Sequence, residues 1–283
     1  MIEVGKPEDY QAQIELIKIR NGFAKTEEVY MKRILSVSNR KGGSGKTTTT
    51  VNIAAALAHQ GKEVLVVDAD PQAHTSLSLG IKPKDVSLDL YSLLVDKREP
   101  EEVMADTYLK QLKVIPASRR LTIYERTFSA TKEARHSLCE RLQDLNGRFD
   151  YVIFDTPPTL SLLTISALIA SEEVYVPMQA HFLSLEGLVE MVTLISKINK
   201  LYNPKLKLRG IIPTFYKERT RLSQAIIAEI KKNLGEGIIL HPVRVNVALA
   251  EAPSFGKTIF QYRLKSHGAF DYLSIAKQIE GLS

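Results

Sequence analysis

The chain has 283 residues, 44% hydrophobic and 25% charged, a normal globular balance with length for one large α/β domain or two small ones. No apolar run approaches the ~20 residues of a membrane span, and the first 30 residues carry acids and lysines where a secretory signal would be apolar. The single cysteine, Cys139, excludes intrachain disulfides and multi-cysteine clusters, so a cytoplasmic protein is expected, with Cys139 packed on a helix.

The net charge of +6 is uneven: residues 197–283 hold 15 Lys and Arg against 6 Asp and Glu. That bias fits a polyanion partner as well as it fits an ordinary lysine-decorated surface. Residues 1–30 stand apart as an extension. Within them, residues 7–20 predict a short amphipathic helix with Tyr10, Ile14 and Ile17 on one face, stopped by Asn21-Gly22. Its two readings are a helix or tail belonging to the main body and a partner-binding peptide.

Residues 33–37 predict a buried strand that breaks into a loop holding Gly42, Gly43 and Gly45. Residues 47–59 then predict a helix with Val51, Ala54, Ala55 and Ala58 on one face. Strand, glycine loop, helix is the context of a phosphate-binding loop. Glycine lets backbone N–H groups turn inward without Cβ clashes, and the helix N-terminus adds unpaired donors and partial positive charge. Lys46 supplies a cation for β- and γ-phosphates, and the Thr47 hydroxyl can ligate Mg²⁺. The strict pattern would need glycine at position 40, where Arg40 stands; a second lysine, Lys41, heads the loop instead.

Residues 63–68 predict a second strand, apolar enough for burial on both faces and ending in Asp68-Ala-Asp-Pro-Gln72. Asp68 and Asp70 at such a strand end lie in the crevice where α/β sheets bind ligands, able to hold Mg²⁺ through water or to orient an attacking water. Residues 80–110 read as helix and loop, 112–118 as a short strand, and 119–145 as a long helical region with Leu138, Leu142 and Leu145 at helical spacing. Residues 149–155 form another buried strand ending in Asp155, placed to hold Mg²⁺ or its waters. Then follow strand 173–178, helix 184–201, strand 208–213 and helix 220–234, with Ile226, Ile227 and Ile230 inward and Lys231-Lys232 near its end. A short strand at 237–240 and a helix at 270–279, too weakly basic for a membrane surface, close the chain.

Lys41-Gly-Gly-Ser-Gly-Lys-Thr-Thr48, Asp68-Ala-Asp-Pro-Gln72, Asp155-Thr-Pro-Pro158 and Glu251-Ala-Pro-Ser-Phe-Gly256 together resemble the ParA/Soj family of deviant Walker A partition ATPases, in the ParA/MinD superfamily. Val176-Pro-Met-Gln179 and Leu185-Glu-Gly-Leu188 agree, and the resemblance covers residues 32–283. It implies a P-loop fold: a doubly wound, mostly parallel sheet flanked by helices. It also implies an ATP-driven sandwich homodimer in which Lys41 reaches the partner's phosphates. Lys46 would cradle phosphate within its own subunit, in the loop Gly42, Gly43, Ser44 and Gly45; Thr47 would ligate Mg²⁺ and Thr48 touch the α-phosphate. Asp70 would orient the water, with Asp68 and Asp155 near the metal.

The family's hydrolysis is slow and stimulated by a ParB-type partner, and its ATP dimer binds DNA without sequence preference, which would make the protein nucleoid-associated in that state. The resemblance carries Arg219 over as a DNA contact, with Lys217 and Arg221 as neighbours. The chain departs from the pattern at Val245 and Ala248, where relatives have arginines, and at Arg244, where they have proline; Arg244, Lys257, Arg263 and Lys265 are candidate substitutes. The competing readings are a ParA-like ATPase positioning another cargo, a MinD-like membrane switch lacking the basic C-terminal helix, and a DNA-binding scaffold with a dead nucleotide site. One cysteine excludes an iron–sulfur reductase of the nitrogenase iron-protein type.

Overall fold

Short, mostly aliphatic runs, the central ones buried on both faces, build the centre of the molecule. They are β1 (Arg33–Val37), β2 (Val64–Asp68), β3 (Ala105–Asp106), β4 (Leu112–Ile115), β5 (Tyr151–Asp155), β6 (Glu173–Gln179) and β7 (Lys207–Thr214). The computed structural model describes residues 33–145, 147–181, 183–217 and 220–282, and it joins these strands in one sheet of order β3-β4-β2-β5-β1-β6-β7. Neighbours are parallel except β3, which runs antiparallel to β4 at one edge. This is the doubly wound α/β sheet expected. The helix expected at 7–20 and the candidate contact Arg219 lie outside the described residues.

Alternation sends each strand's side chains to two cores. Val64 and Val66 of β2, with Ile153 of β5, join the core under α1 (Lys46–His59) and α12 (His267–Gly281). Leu65 and Val67, with Val152 and Phe154, face the opposite core. That core is covered by α3 (Leu90–Leu94), α5 (Arg120–Phe128), α6 (Ser137–Leu142) and α7 (Leu162–Ala170). Helices α8 (Leu183–Leu201) and α9 (Arg221–Leu234) cover β6 and β7. Helix α1 is buried almost all round, not on one face as its sequence suggests, because α12 lays Tyr272, Ile275, Ala276 and Ile279 over its outer side. The alanine run 54–56 keeps that three-layer contact close.

Four expectations need correction. The helical region at 119–145 is broken: α5 stops at Phe128, a 3₁₀ turn spans Glu133–Arg135, and α6 follows. Leu138, Leu142 and Leu145 are nonetheless buried, so the apolar spacing is right although the helix is interrupted. Cys139 is exposed on α6, not packed. Residues 237–240 form no strand: Glu236–Ile238 is a 3₁₀ turn, and only an isolated bridge joins Ile211 to Ile239. Ile226 and Ile230 are buried on α9, but Ile227 is only partly so.

Gly210 on β7 marks a close contact. A Cβ there would lie 2.9 Å from both Tyr175 Cδ1 and Leu240 Cδ1. Tyr175 is fully buried and cannot retreat. Gly210→Ala is therefore expected to destabilise the fold by about 1–3 kcal/mol, the usual cost of overpacking, as read by chemical denaturation. An unchanged midpoint would contradict this.

Candidate functional site

Parallel register brings the polar strand ends together. Asp68 of β2 and Val37 of β1 both pair with Asp155 of β5, so the two carboxylates sit side by side on the C-terminal edge of the sheet. The glycine loop begins where β1 ends and leads into α1. Gly43 (φ 70°) and Gly45 (φ 89°) hold left-handed conformations that side chains disfavour, and Gly45 is the residue that caps α1. The loop is fixed from β7, where Thr214 Oγ1 donates to Ser44 O at 2.9 Å, and from β6, where Gln179 Nε2 donates to Gly43 O at 2.9 Å.

Lys46 is 7% exposed and bends back so that Nζ donates to Lys41 O at 3.4 Å. Burial pulls its ammonium below the ordinary lysine range, and Asp155 and Asp70 oppose that pull. Thr47 Oγ1 donates to Asp155 Oδ2 at 2.8 Å, Thr50 Oγ1 to Oδ1 at 3.3 Å and Thr75 Oγ1 to Oδ2 at 2.7 Å. Three hydroxyls thus hold one buried carboxylate. Burial raises the Asp155 carboxyl and also the neighbouring Asp68 carboxyl, which the Asp155 charge raises further.

Asp68 is fully enclosed. Its Oδ1 accepts from the Asp70 amide at 3.2 Å, and its Oδ2 from the Ser76 amide and hydroxyl at 2.8 and 2.7 Å. It anchors the segment leading into α2 (His74–Ser78). Asp70 is 9% exposed, and its Oδ1 accepts from the Gln72 amide at 2.9 Å, which fixes the carboxylate at the strand end.

The residues present fit a metal-bound phosphate. The Thr47 hydroxyl and the Asp155 carboxylate are adjacent hard oxygen donors of the kind Mg²⁺ uses beside nucleotide phosphates. Ser44 Oγ is buried inside the glycine loop without a protein hydrogen-bond partner. Gly42, Gly43, Ser44, Gly45, Lys46, Thr47, Asp68, Asp70 and Asp155 therefore converge, with Thr48 on the same first turn of α1. Lys41 heads the loop, but its ammonium turns to His181 Nε2 at 3.3 Å.

The basic candidates lie elsewhere. Lys217 and Arg221 are exposed around the start of α9. Ala248 is buried, so position 248 presents nothing to solvent, whereas Val245 is exposed. Arg244 is committed to an ion pair with the buried Asp271, Nη2 to Oδ1 at 2.6 Å, with its guanidinium over the Phe270 ring. Lys257, Arg263 and Lys265 are exposed.

Sequence reasoning did not single out Thr50, Thr75, Ser76, Thr214 or His181. Single hydroxyls and a lone histidine carry no spacing signal; only the register and the returning α2 bring them to the carboxylates and the loop. Gln179 did stand in a motif noted from sequence, and its bond to Gly43 gives that motif a physical role. Among the described residues no helix is long and apolar enough to cross a membrane.

A family model described as an AAA domain matches residues 32–208. The sporulation initiation inhibitor protein Soj of Bacillus subtilis is 39% identical over 249 residues, covering 88% of this chain and 98% of that protein. The chromosome partitioning protein ParA of Caulobacter vibrioides is 36% identical over 249 residues, covering 87% and 93%. Among solved structures, cobyrinic acid a,c-diamide synthase from Mycobacterium smegmatis with a bound ATP analogue and magnesium superposes with a TM-score of 0.74. Its identity is 33%, covering 87% of this chain and 93% of that one.

Proposed function

The chain belongs to the ParA/Soj family of the ParA/MinD superfamily, and from that premise we propose that it is a partition ATPase whose ATP-bound sandwich dimer binds DNA without sequence preference and is stimulated by a ParB-type partner. It is an ATPase that works with ATP and Mg²⁺. The observation that carries the proposal is the split between the two lysines. Lys46 lies folded within its own loop, while the ammonium of Lys41 points away from that loop to the β6 end. One cation serves its own pocket, and the other is directed outside it, on the side from which a second subunit would take it up.

In this reading Lys46 and the amides of Gly42, Gly43, Ser44 and Gly45 cradle the phosphates, and Thr48 reaches the α-phosphate. Mg²⁺, when bound, neutralises phosphate charge; Thr47 would hold it directly, Asp155 through water, with Asp68 behind. Asp70, its carboxylate fixed by the Gln72 amide, orients the attacking water. Lys41 of the partner subunit brings its charge to the phosphates only when two subunits meet, which ties hydrolysis to assembly. The nucleotide then acts as a switch: the ATP dimer is held on the nucleoid in the cytoplasm and the monomer is released.

The DNA face proposed is the exposed start of α9, with Lys217 and Arg221; Arg219, which stands between them in the sequence, is proposed with them from the resemblance. Phosphate contacts need only positive charge and reach. Gel-shift titration with random-sequence duplex is expected to give binding that requires ATP and weakens steeply with salt. Replacing Lys217 and Arg221 by alanine should lower the slope of log K against log salt by about 2, close to one per lost phosphate contact. Salt-insensitive binding, or equal binding without nucleotide, would refute this. ATP-dependent capture by acidic vesicles in place of DNA would favour the membrane-switch reading.

A further inference from the structure

Lys41 and the loop it heads are tied to the end of β6 by a small network. The Lys41 amide donates to Asn39 Oδ1 at 3.0 Å, and Asn39 Nδ2 donates to Pro177 O at 2.8 Å. Gln179 Nε2 donates to Gly43 O, which turns its carbonyl oxygen towards the His181 ring, with Oε1 3.0 Å from Nε2. Lys41 Nζ approaches the same Nε2 at 3.3 Å. Ser184 Oγ lies 3.3 Å from both Nδ1 and Nε2, at the ring edge between them.

These contacts cannot all be made at once. A neutral imidazole has one N–H and one lone pair, an ammonium only donates and an amide oxygen only accepts. With the proton on Nδ1, the ring donates to Ser184 and Nε2 accepts from Lys41. With the proton on Nε2, the ring donates to Gln179 and has nothing to offer Lys41. Burial and the Lys41 charge both pull the imidazole below its ordinary range, so the neutral ring is the relevant form near pH 7. Among the described residues of the adjoining loop and helix, Arg40 and Glu190 pair with each other at 2.9 Å.

We propose that His181 is a positioning residue that parks Lys41 in the unpaired subunit, and that Gln179 competes for the same ring nitrogen so that a change of tautomer releases the lysine for the partner's phosphates. The exchange moves one proton from Nδ1 to Nε2 through solvent, which reaches the partly exposed ring. Because Gln179 also holds Gly43, a shift of the glycine loop moves the competitor, which couples pocket filling to release. The proposal rests on the sandwich reading for the purpose of the release, but the parking contact is a property of the lone subunit.

Two measurements on the full-length chain test it. Imidazole ¹⁵N NMR without nucleotide is expected to find His181 with the proton on Nδ1. Lys41→Ala should shift it toward the Nε2–H form and raise its pKa. The second readout is the dissociation constant of the ATP-driven dimer. His181→Phe removes the acceptor and should tighten the dimer roughly three- to tenfold, the scale of one hydrogen bond. His181→Gln offers an acceptor to Lys41 and a separate donor to Gln179, so it should leave dimerisation at or below wild type. The proposal is overturned if Lys41→Ala leaves the His181 tautomer and titration unchanged, or if both His181 variants shift the dimer in the same direction. A His181 response to Lys41→Ala with no ATP-driven dimer in any chain would support parking while removing the sandwich reading it serves.

Discussion

Asp70→Ala is expected to bind ATP and Mg²⁺ nearly as tightly as the wild type and to lose at least about 100-fold in turnover, the usual scale for removing a positioned acid or base. The binding groups Lys46, Thr47 and Asp155 do not depend on Asp70 for their hydrogen bonds. What the substitution removes is a carboxylate held by the Gln72 amide and one of two acids that favour the Lys46 ammonium. Bound phosphate restores an anion beside Lys46, so affinity is spared. Asp70→Asn keeps an acceptor for Gln72 but not the charge, and so separates positioning from electrostatics. Equilibrium nucleotide binding beside single-turnover hydrolysis makes the comparison. Unchanged turnover in both variants would remove Asp70 from the chemistry.

Lys41→Ala is expected to leave ATP binding to the lone subunit within about threefold, because a half-buried cation turned to His181 contributes little to a pocket it does not face. Dimerisation should be lost and turnover should fall by about 10³-fold, comparable to losing a cation supplied from outside the pocket in other phosphoryl-transfer systems. Lys46→Ala should behave differently and abolish nucleotide binding itself. If Lys41→Ala and Lys46→Ala lost ATP binding equally, both lysines would belong to one pocket, and the division of labour between them would be wrong.

The legible parts of the molecule were those with strong local patterns. A run such as Val64–Asp68 must be buried on both faces and must end at its acid, so the strand and the position of Asp68 follow from residue types alone. What the sequence lacks is pairing. Nothing local says that Asp68 lies beside Asp155, or that Thr75 returns to bond the same carboxylate as Thr47. The helix Leu162–Ala170 went unread because it is apolar on nearly every side and so shows no period. The opposite error arose at 237–240, where Ile238, Ile239 and Leu240 mimic a strand but make only one bridge to β7. His181 had no signal, since its significance lies in a contact across 140 residues with Lys41.

The most direct test of the account is the solution mass of the full chain carrying Asp70→Ala, by light scattering, with saturating ATP and Mg²⁺ and then with ADP. The account predicts about twice the 31.7 kDa chain mass with ATP and a single chain with ADP. A single chain with ATP bound would contradict it.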